Sequence, residues 1–150
     1  MKISVIGMDK SELLSGKKLV EMGNEVIYVC KDYEHVNNVK KGYYNYIEKE
    51  ILKDLPKKQA VDFTSDLKEA LEESVMCFIA ENEKYDVFNI LANAKEVGAN
   101  MTGHTFIIDR SNLPINREKH IKETIKSELE KRGATDLTFE VISDPNFLRN

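Results

Sequence analysis

The chain has only two cysteines and three histidines in 150 residues. Cys30 and Cys77 do not form a C-x-x-C pair, and the histidines are scattered, so a metal site is not expected. Each cysteine lies in an apolar, strand-like run, which reads as a buried thiol in a reducing cytoplasm. Long apolar runs are missing as well. None approaches the ~18 residues of a membrane span, and the first residues run straight into a strand pattern with no secretory leader before it. Positive charge is not in excess. With 22 Lys+Arg against 26 Asp+Glu the net charge is −4, and the two signs are interspersed, so nothing marks a nucleic-acid partner.

What remains is an ordinary globular composition, 41% hydrophobic and 32% charged. The length fits one domain, able to bury about 68–70% of its unfolded surface. Apolar runs and helical patterns alternate along it. Strands are expected at 2–6, 25–30, 61–64, 75–80, 105–109 and 137–143. Helices are expected at about 11–22, 33–41, 44–55, 66–71, 85–97 and 117–132. Gly23, Gly42 and Gly133 follow helical stretches as C-terminal stop signals do, and Pro56 closes another. The run VMCFIA (75–80) is continuously apolar, as in a strand buried on both faces. This alternation predicts an α/β fold: a doubly wound, mostly parallel sheet of about six strands with helices on both faces. Ligands of such sheets bind at the C-terminal strand ends.

The first βα turn reads Gly7-Met8-Asp9-Lys10-Ser11-Glu12. A dinucleotide turn of the form G-x-G-x-x-G would place glycines at the Asp9 and Glu12 positions. The second glycine lets backbone approach a pyrophosphate and the third lets the helix pack closely on the strand. Carboxylates there crowd and repel a phosphate. Asp9 and Glu12 also have capping-box spacing, so the Asp9 carboxylate is expected to accept the free helix N–H groups a phosphate would use.

Four blocks in order resemble the N-terminal NAD-binding domain of the UDP-glucose/GDP-mannose dehydrogenase family. KISVIGMDKSELLSGKKLVEMGNEVIYVCKD resembles KIxVIGxGYVGLxxGxxLAxxGHxVxxVDxD. FTSDLKEALEESVMCFIA resembles FTTDLxEAxxxADVxFIA. IIDRSNLPIN resembles VxKSTVPVGT, and VISDPNFLRN resembles VxSNPEFLRE. The resemblance spans the chain and implies a Rossmann-like fold. It also implies an NAD-linked oxidation of the C6 hydroxyl of a nucleotide sugar. On it, the cofactor-binding positions are Gly7, Met8, Asp9, Lys10, Cys30, Asp32, Ala80 and Ser111. The substrate-binding positions are Asn146, Phe147, Leu148 and Arg149.

The departures from the family fall on the chemistry. Cys30 stands where the family has the acid that holds ribose hydroxyls, and cysteine hydrogen-bonds only weakly. Asp32 matches a second acid. Lys31 suggests the 2′-phosphate of NADP, which would still need the missing turn. Glu81-Asn82-Glu83-Lys84 replaces a small-residue V-G-T-P loop and reads as a solvated loop. Asn112 replaces a threonine near the catalytic water, and Asn116 and Arg117 replace a glycine and a threonine. Asn146 and Asn150 replace two glutamates, and an amide cannot serve as a carboxylate base. The family's nucleophilic cysteine lies in later domains, and neither Cys30 nor Cys77 is placed to substitute for it. No catalytic residue is therefore assigned, and NAD binding is expected to be weak or absent.

Three functions follow from the resemblance. The first is a non-catalytic binding, regulatory or assembly module. The second is an NAD-binding subunit of a sugar-nucleotide dehydrogenase that works with a separate catalytic chain. The third is a binder of a nucleotide sugar or other small ligand without redox chemistry. A homodimer or a separate protein partner is compatible with each, and Tyr43, Tyr44 and Tyr46 are candidates for the contact.

Overall fold

The computed structural model describes residues 1–55, 60–81, 86–111 and 117–147. Six strands form one sheet: β1 (Lys2–Ile6), β2 (Glu25–Val29), β3 (Val61–Thr64), β4 (Met76–Ala80), β5 (Thr105–Asp109) and β6 (Phe139–Ser143). Their order is β3-β2-β1-β4-β5-β6, and every neighbouring pair is parallel. The switch point lies between β1 and β4. There the chain, having wound outward from β1 to β3, returns to the centre and winds the other way.

The helices are α1 (Lys10–Glu21), α2 (Tyr33–Lys40), α3 (Tyr46–Leu52), α4 (Leu67–Glu73), α5 (Val87–Asn100) and α6 (Arg117–Lys131). The strand alternation sorts the core into two layers. Ile3, Val5, Val26, Tyr28, Met76 and Phe78 face a cluster with Leu13 and Leu19 of α1, Val36 and Val39 of α2, and Ile51 and Leu52 of α3. Cys77, Ile79, Ile107 and Val141 face Leu71 of α4, Ile90, Ala94 and Val97 of α5, and Ile121, Ile125 and Leu129 of α6. Burial pushes the Cys77 thiol up to about 12, which leaves it protonated and unreactive.

The expected fold is the observed one, with local differences at element ends. Helix α3 starts at Tyr46 rather than Tyr44, because Asn45 caps it: Asn45 Oδ1 accepts the Glu48 N–H at 2.8 Å and Glu48 Oε1 accepts the Asn45 N–H at 2.9 Å. It ends at Leu52, short of Leu55. Helix α5 runs on to Asn100 before Met101 caps it. Strand β6 starts at Phe139, because Leu137 is held in a turn by Ala134. Pro56 and Tyr85 lie outside the described residues. Tyr43, Tyr44 and Tyr46 are all exposed, and the Tyr44 ring leans on Phe63. Among the described residues, no helix is long and apolar enough to cross a membrane.

Candidate functional site

The C-terminal edge of the sheet is built around the turn after β1. Gly7 adopts a left-handed φ of 114° and donates its N–H to the Val29 carbonyl at 2.8 Å, which folds the turn over the end of β2. Asp9 is extended and caps α1. Glu12, one turn on, is only 2% exposed. Its Oε1 accepts the Asp9 N–H at 3.1 Å and its Oε2 accepts the Ser11 hydroxyl at 2.6 Å. A Cβ added to Gly7 would lie 2.6 Å from Glu12 Oε1, so the carboxylate fills the space directly over the glycine.

The capping box expected from the sequence is present, with the Asp9 side chain turned to the N3 backbone and Glu12 turned back to the Asp9 backbone. The two halves differ in burial: Asp9 is exposed, whereas Glu12 is buried and holds the Asp9 N–H. The buried half of the box is Glu12 reaching back. An anion at the start of α1 is favoured by the helix dipole and by the free N–H groups, and here the chain supplies that anion itself.

On the β4/β5 side of the turn the described residues are tied together by buried charged groups. The Glu81 side chain is 1% exposed and Arg110 is 6% exposed. Glu81 Oε2 accepts the Ser15 hydroxyl at 2.5 Å and pairs with Arg110 Nη1 at 3.3 Å. Arg110 Nη1 also donates to Ser15 Oγ at 3.3 Å, and its guanidinium lies 5.7 Å over the Phe78 ring. Three segments, α1 and the ends of β4 and β5, are thus tied by one buried network. The expectation of a solvated loop at Glu81 is therefore wrong at that residue: paired with Arg110, the carboxylate is kept in the interior. Asn82, Glu83 and Lys84 lie outside the described residues.

Two features complete this packed side. Tyr28, fully buried, donates its hydroxyl to the Leu13 carbonyl at 2.8 Å and passes across Gly16 of α1, where any Cβ would run into the phenol. Burial raises the pKa of this phenol, and the carboxylates of Glu81 and then Glu12 raise it further. At the end of β5, buried Asp109 accepts from the Ser111 N–H at 2.9 Å and the Ser111 hydroxyl at 2.6 Å, and it pairs with Arg117 of α6. Arg117 Nη2 also donates to the Ser111 carbonyl at 2.9 Å.

On the β2/β3 side the edge is open. A groove of about 1160 Å³ runs from the Gly7 turn past the end of β2 to α5. Its lining includes Ile6, Met8, Val29 and Leu67 as apolar surface, with Cys30, Lys31, Asp66, Asn89, Asn93 and Glu96 as polar groups. Lys31 and Glu96 reach towards each other, Nζ to Oε1, at 3.7 Å, and both are exposed.

The predicted positions therefore divide. Gly7, Met8, Asp9, Lys10 and Cys30 line the open groove. Asp32 instead caps α2 by accepting the His35 N–H at 3.1 Å. Ala80 is fully buried and its carbonyl accepts the Arg110 N–H at 2.8 Å, while the Ser111 hydroxyl is engaged by Asp109. Phe147 packs its ring against Phe78 at 6.3 Å and joins the core, and Asn146 is exposed, with its N–H on Asp144. Leu148, Arg149, Asn112, Asn116 and Asn150 lie outside the described residues. Sequence reasoning missed Ser15, Arg110 and the α5 wall of the groove. Only the polar spacing of Asn89, Asn93 and Glu96 along one helix face hinted at that wall.

A parallel sheet ordered 3-2-1-4-5-6, with a glycine turn at its switch point, defines a Rossmann-type nucleotide-binding fold. The chain belongs to the UDP-glucose/GDP-mannose dehydrogenase family, whose NAD binding domain profile matches residues 1–150. It is 30% identical to the UDP-glucose 6-dehydrogenase TuaD of Bacillus subtilis, over 99% of this chain and 33% of that protein. It is 31% identical to a UDP-glucose 6-dehydrogenase of Rhizobium meliloti, over 99% of this chain and 35% of that one. The chain thus spans about a third of the length of these curated relatives. In fold it is similar to a UDP-glucose dehydrogenase from Pyrobaculum islandicum, with a TM-score of 0.77 at 20% identity, covering 99% of this chain and 36% of that one.

Proposed function

We propose that this chain is a relative of the dehydrogenase cofactor domain that does not catalyse by itself. On this reading it binds NAD weakly or not at all and serves as a binding, regulatory or assembly module, alone, as a homodimer or with a separate chain. One observation carries the reading. The buried Glu12 carboxylate sits over Gly7 and holds the Asp9 N–H. A dinucleotide laid across the switch point needs its pyrophosphate at that helix start, with one half on each side. A phosphate there would meet a resident carboxylate, and the half beyond it would meet the Ser15–Glu81–Arg110 network. On this reading a buried carboxylate takes the seat of the NAD pyrophosphate.

Equilibrium dialysis of the chain against labelled NAD, NADP and UDP-glucose tests this. No retention of NAD at tens of micromolar is expected, and micromolar binding of NAD would sink the proposal. A second reading is favoured by the open groove and by the family match over residues 1–150: an NAD-binding oxidoreductase subunit completed by another chain. It requires NADH to form from UDP-glucose and NAD only when a partner bearing a catalytic cysteine is added.

A further inference from the structure

We infer that the open groove is a half-site: it takes one nucleoside-sized ligand that is uncharged where it faces α1, and it rejects the phosphorylated form. The inference rests on the reading above that Glu12 occupies the phosphate seat, and it adds a ligand class and an inverted charge preference.

Size and place argue for a ligand. The groove, about 1160 Å³, is at least as large as the ~300–1,000 Å³ of ordinary small-molecule pockets. It lies beside the switch point, at the strand ends where open α/β sheets bind ligands. Its apolar patch (Ile6, Met8, Leu67) suits one face of a flat ring. Cys30, at the end of β2, stands where such folds contact a sugar hydroxyl.

Charge and packing decide which ligand. At the α1 end of the groove the Asp9 N–H is already used by Glu12, so the donor that would greet a phosphate is taken. The acceptor using it carries the same sign as a phosphate. Glu12 is buried, so water screens that repulsion poorly. Past the turn, Ser15, Glu81 and Arg110 hold one another in a buried network, so a second nucleoside unit would meet an already engaged surface. A family whose fold is made for a diphosphate-bridged pair is here left with one half, closed by a negative charge at the bridging end.

Adenosine, AMP, ADP and NAD are the probes, each titrated into the ¹⁵N-labelled chain and followed by amide shifts. In the wild type, adenosine is expected to move the amides of Cys30, Lys31 and Asn93. AMP should bind about tenfold more weakly and NAD should move nothing. Glu12→Gln removes the charge and keeps an oxygen for the Asp9 N–H, so AMP should then match or overtake adenosine. Glu12→Gly should extend the gain to ADP. The glutamine variant, being nearly isosteric, keeps the test valid if the glycine variant folds poorly. If none of the four moves a groove amide in the wild type, the half-site is overturned while the absence of NAD binding stands. If AMP binds as tightly as adenosine in the wild type, the charge preference is overturned. If NAD binds more tightly than adenosine, both readings fall.

Discussion

The two halves of one sheet edge have been treated in opposite ways. On the β2/β3 side the strand ends open into a groove whose charged groups, Lys31 and Glu96, stand in solvent. On the β4/β5 side, across the Gly7 turn, Glu81 and Arg110 are buried against each other and against Ser15. Both halves hold a carboxylate facing a cation, yet the pairs differ in kind. An exposed pair is held loosely and screened by water, so it yields to a ligand at little cost. A buried pair has already lost its hydration, and removing one partner strands the other. The buried pair therefore belongs to the packing of the fold, whereas the exposed pair lies on the wall of an open groove.

The largest test strikes the packed side. Arg110→Met leaves the Glu81 carboxylate buried without its cation and should cost about 3–5 kcal/mol in denaturant unfolding. Adding Glu81→Gln to that variant removes the stranded charge and should recover a large part of the loss. A cost for the single variant no greater than that of a surface substitution would mean that the network does not tie α1 to the ends of β4 and β5.

Gly16→Ala comes next. Its Cβ would enter the space held by the Tyr28 phenol, forcing α1 away from β2. Overpacking of this kind costs about 1–3 kcal/mol, and thermal unfolding reads it directly. Since α1 carries both Glu12 and Ser15, the same variant should loosen the seat and the network together, seen as faster amide exchange at Asp9 and Ser15.

The fold was readable because its signals are local and repeated. Apolar runs alternate with helical patterns, and Gly23, Gly42 and Gly133 do terminate helices with positive φ. The capping box of Asp9 and Glu12 was readable too, from its spacing, but which of the two carboxylates would be buried was not. In the folded chain Glu12 points inward over Gly7 while Asp9 points to water. Glu81 was not readable. Glu-Asn-Glu-Lys after a strand looks like any polar loop, and its partners arrive from α1 and from the end of β5. The same holds for Ser111, whose family-like position says nothing of Asp109 capturing its hydroxyl.

A smaller effect probes the phenol that links the packed side to α1. Tyr28→Phe removes the hydrogen bond to the Leu13 carbonyl and should cost about 1 kcal/mol at neutral pH. The folded phenol titrates above its ordinary value of 10.0, so the folded state keeps its proton when the unfolded chain has lost it. Stability from this group is complete below pH 10 and falls as pH rises beyond it. The phenylalanine variant should lose that alkaline component, so the gap between the two proteins should narrow above pH 10.

The smallest effect belongs to the open half, and its smallness is the point. Lys31 and Glu96 sit 3.7 Å apart across the groove, with side chains 79% and 47% exposed. A pair so exposed contributes about 0–1 kcal/mol. A double-mutant cycle of Lys31→Ala and Glu96→Ala should therefore give a coupling under about 0.5 kcal/mol that fades as salt shortens the screening length. The equivalent cycle at Arg110 and Glu81 should be several times larger and nearly blind to salt. Equal couplings in the two cycles would erase the distinction between a half that is packed and a half that can open to a ligand. A large coupling at Lys31 and Glu96 alone would mean that the groove is latched by its own charges, and that a ligand must break that latch before it can enter.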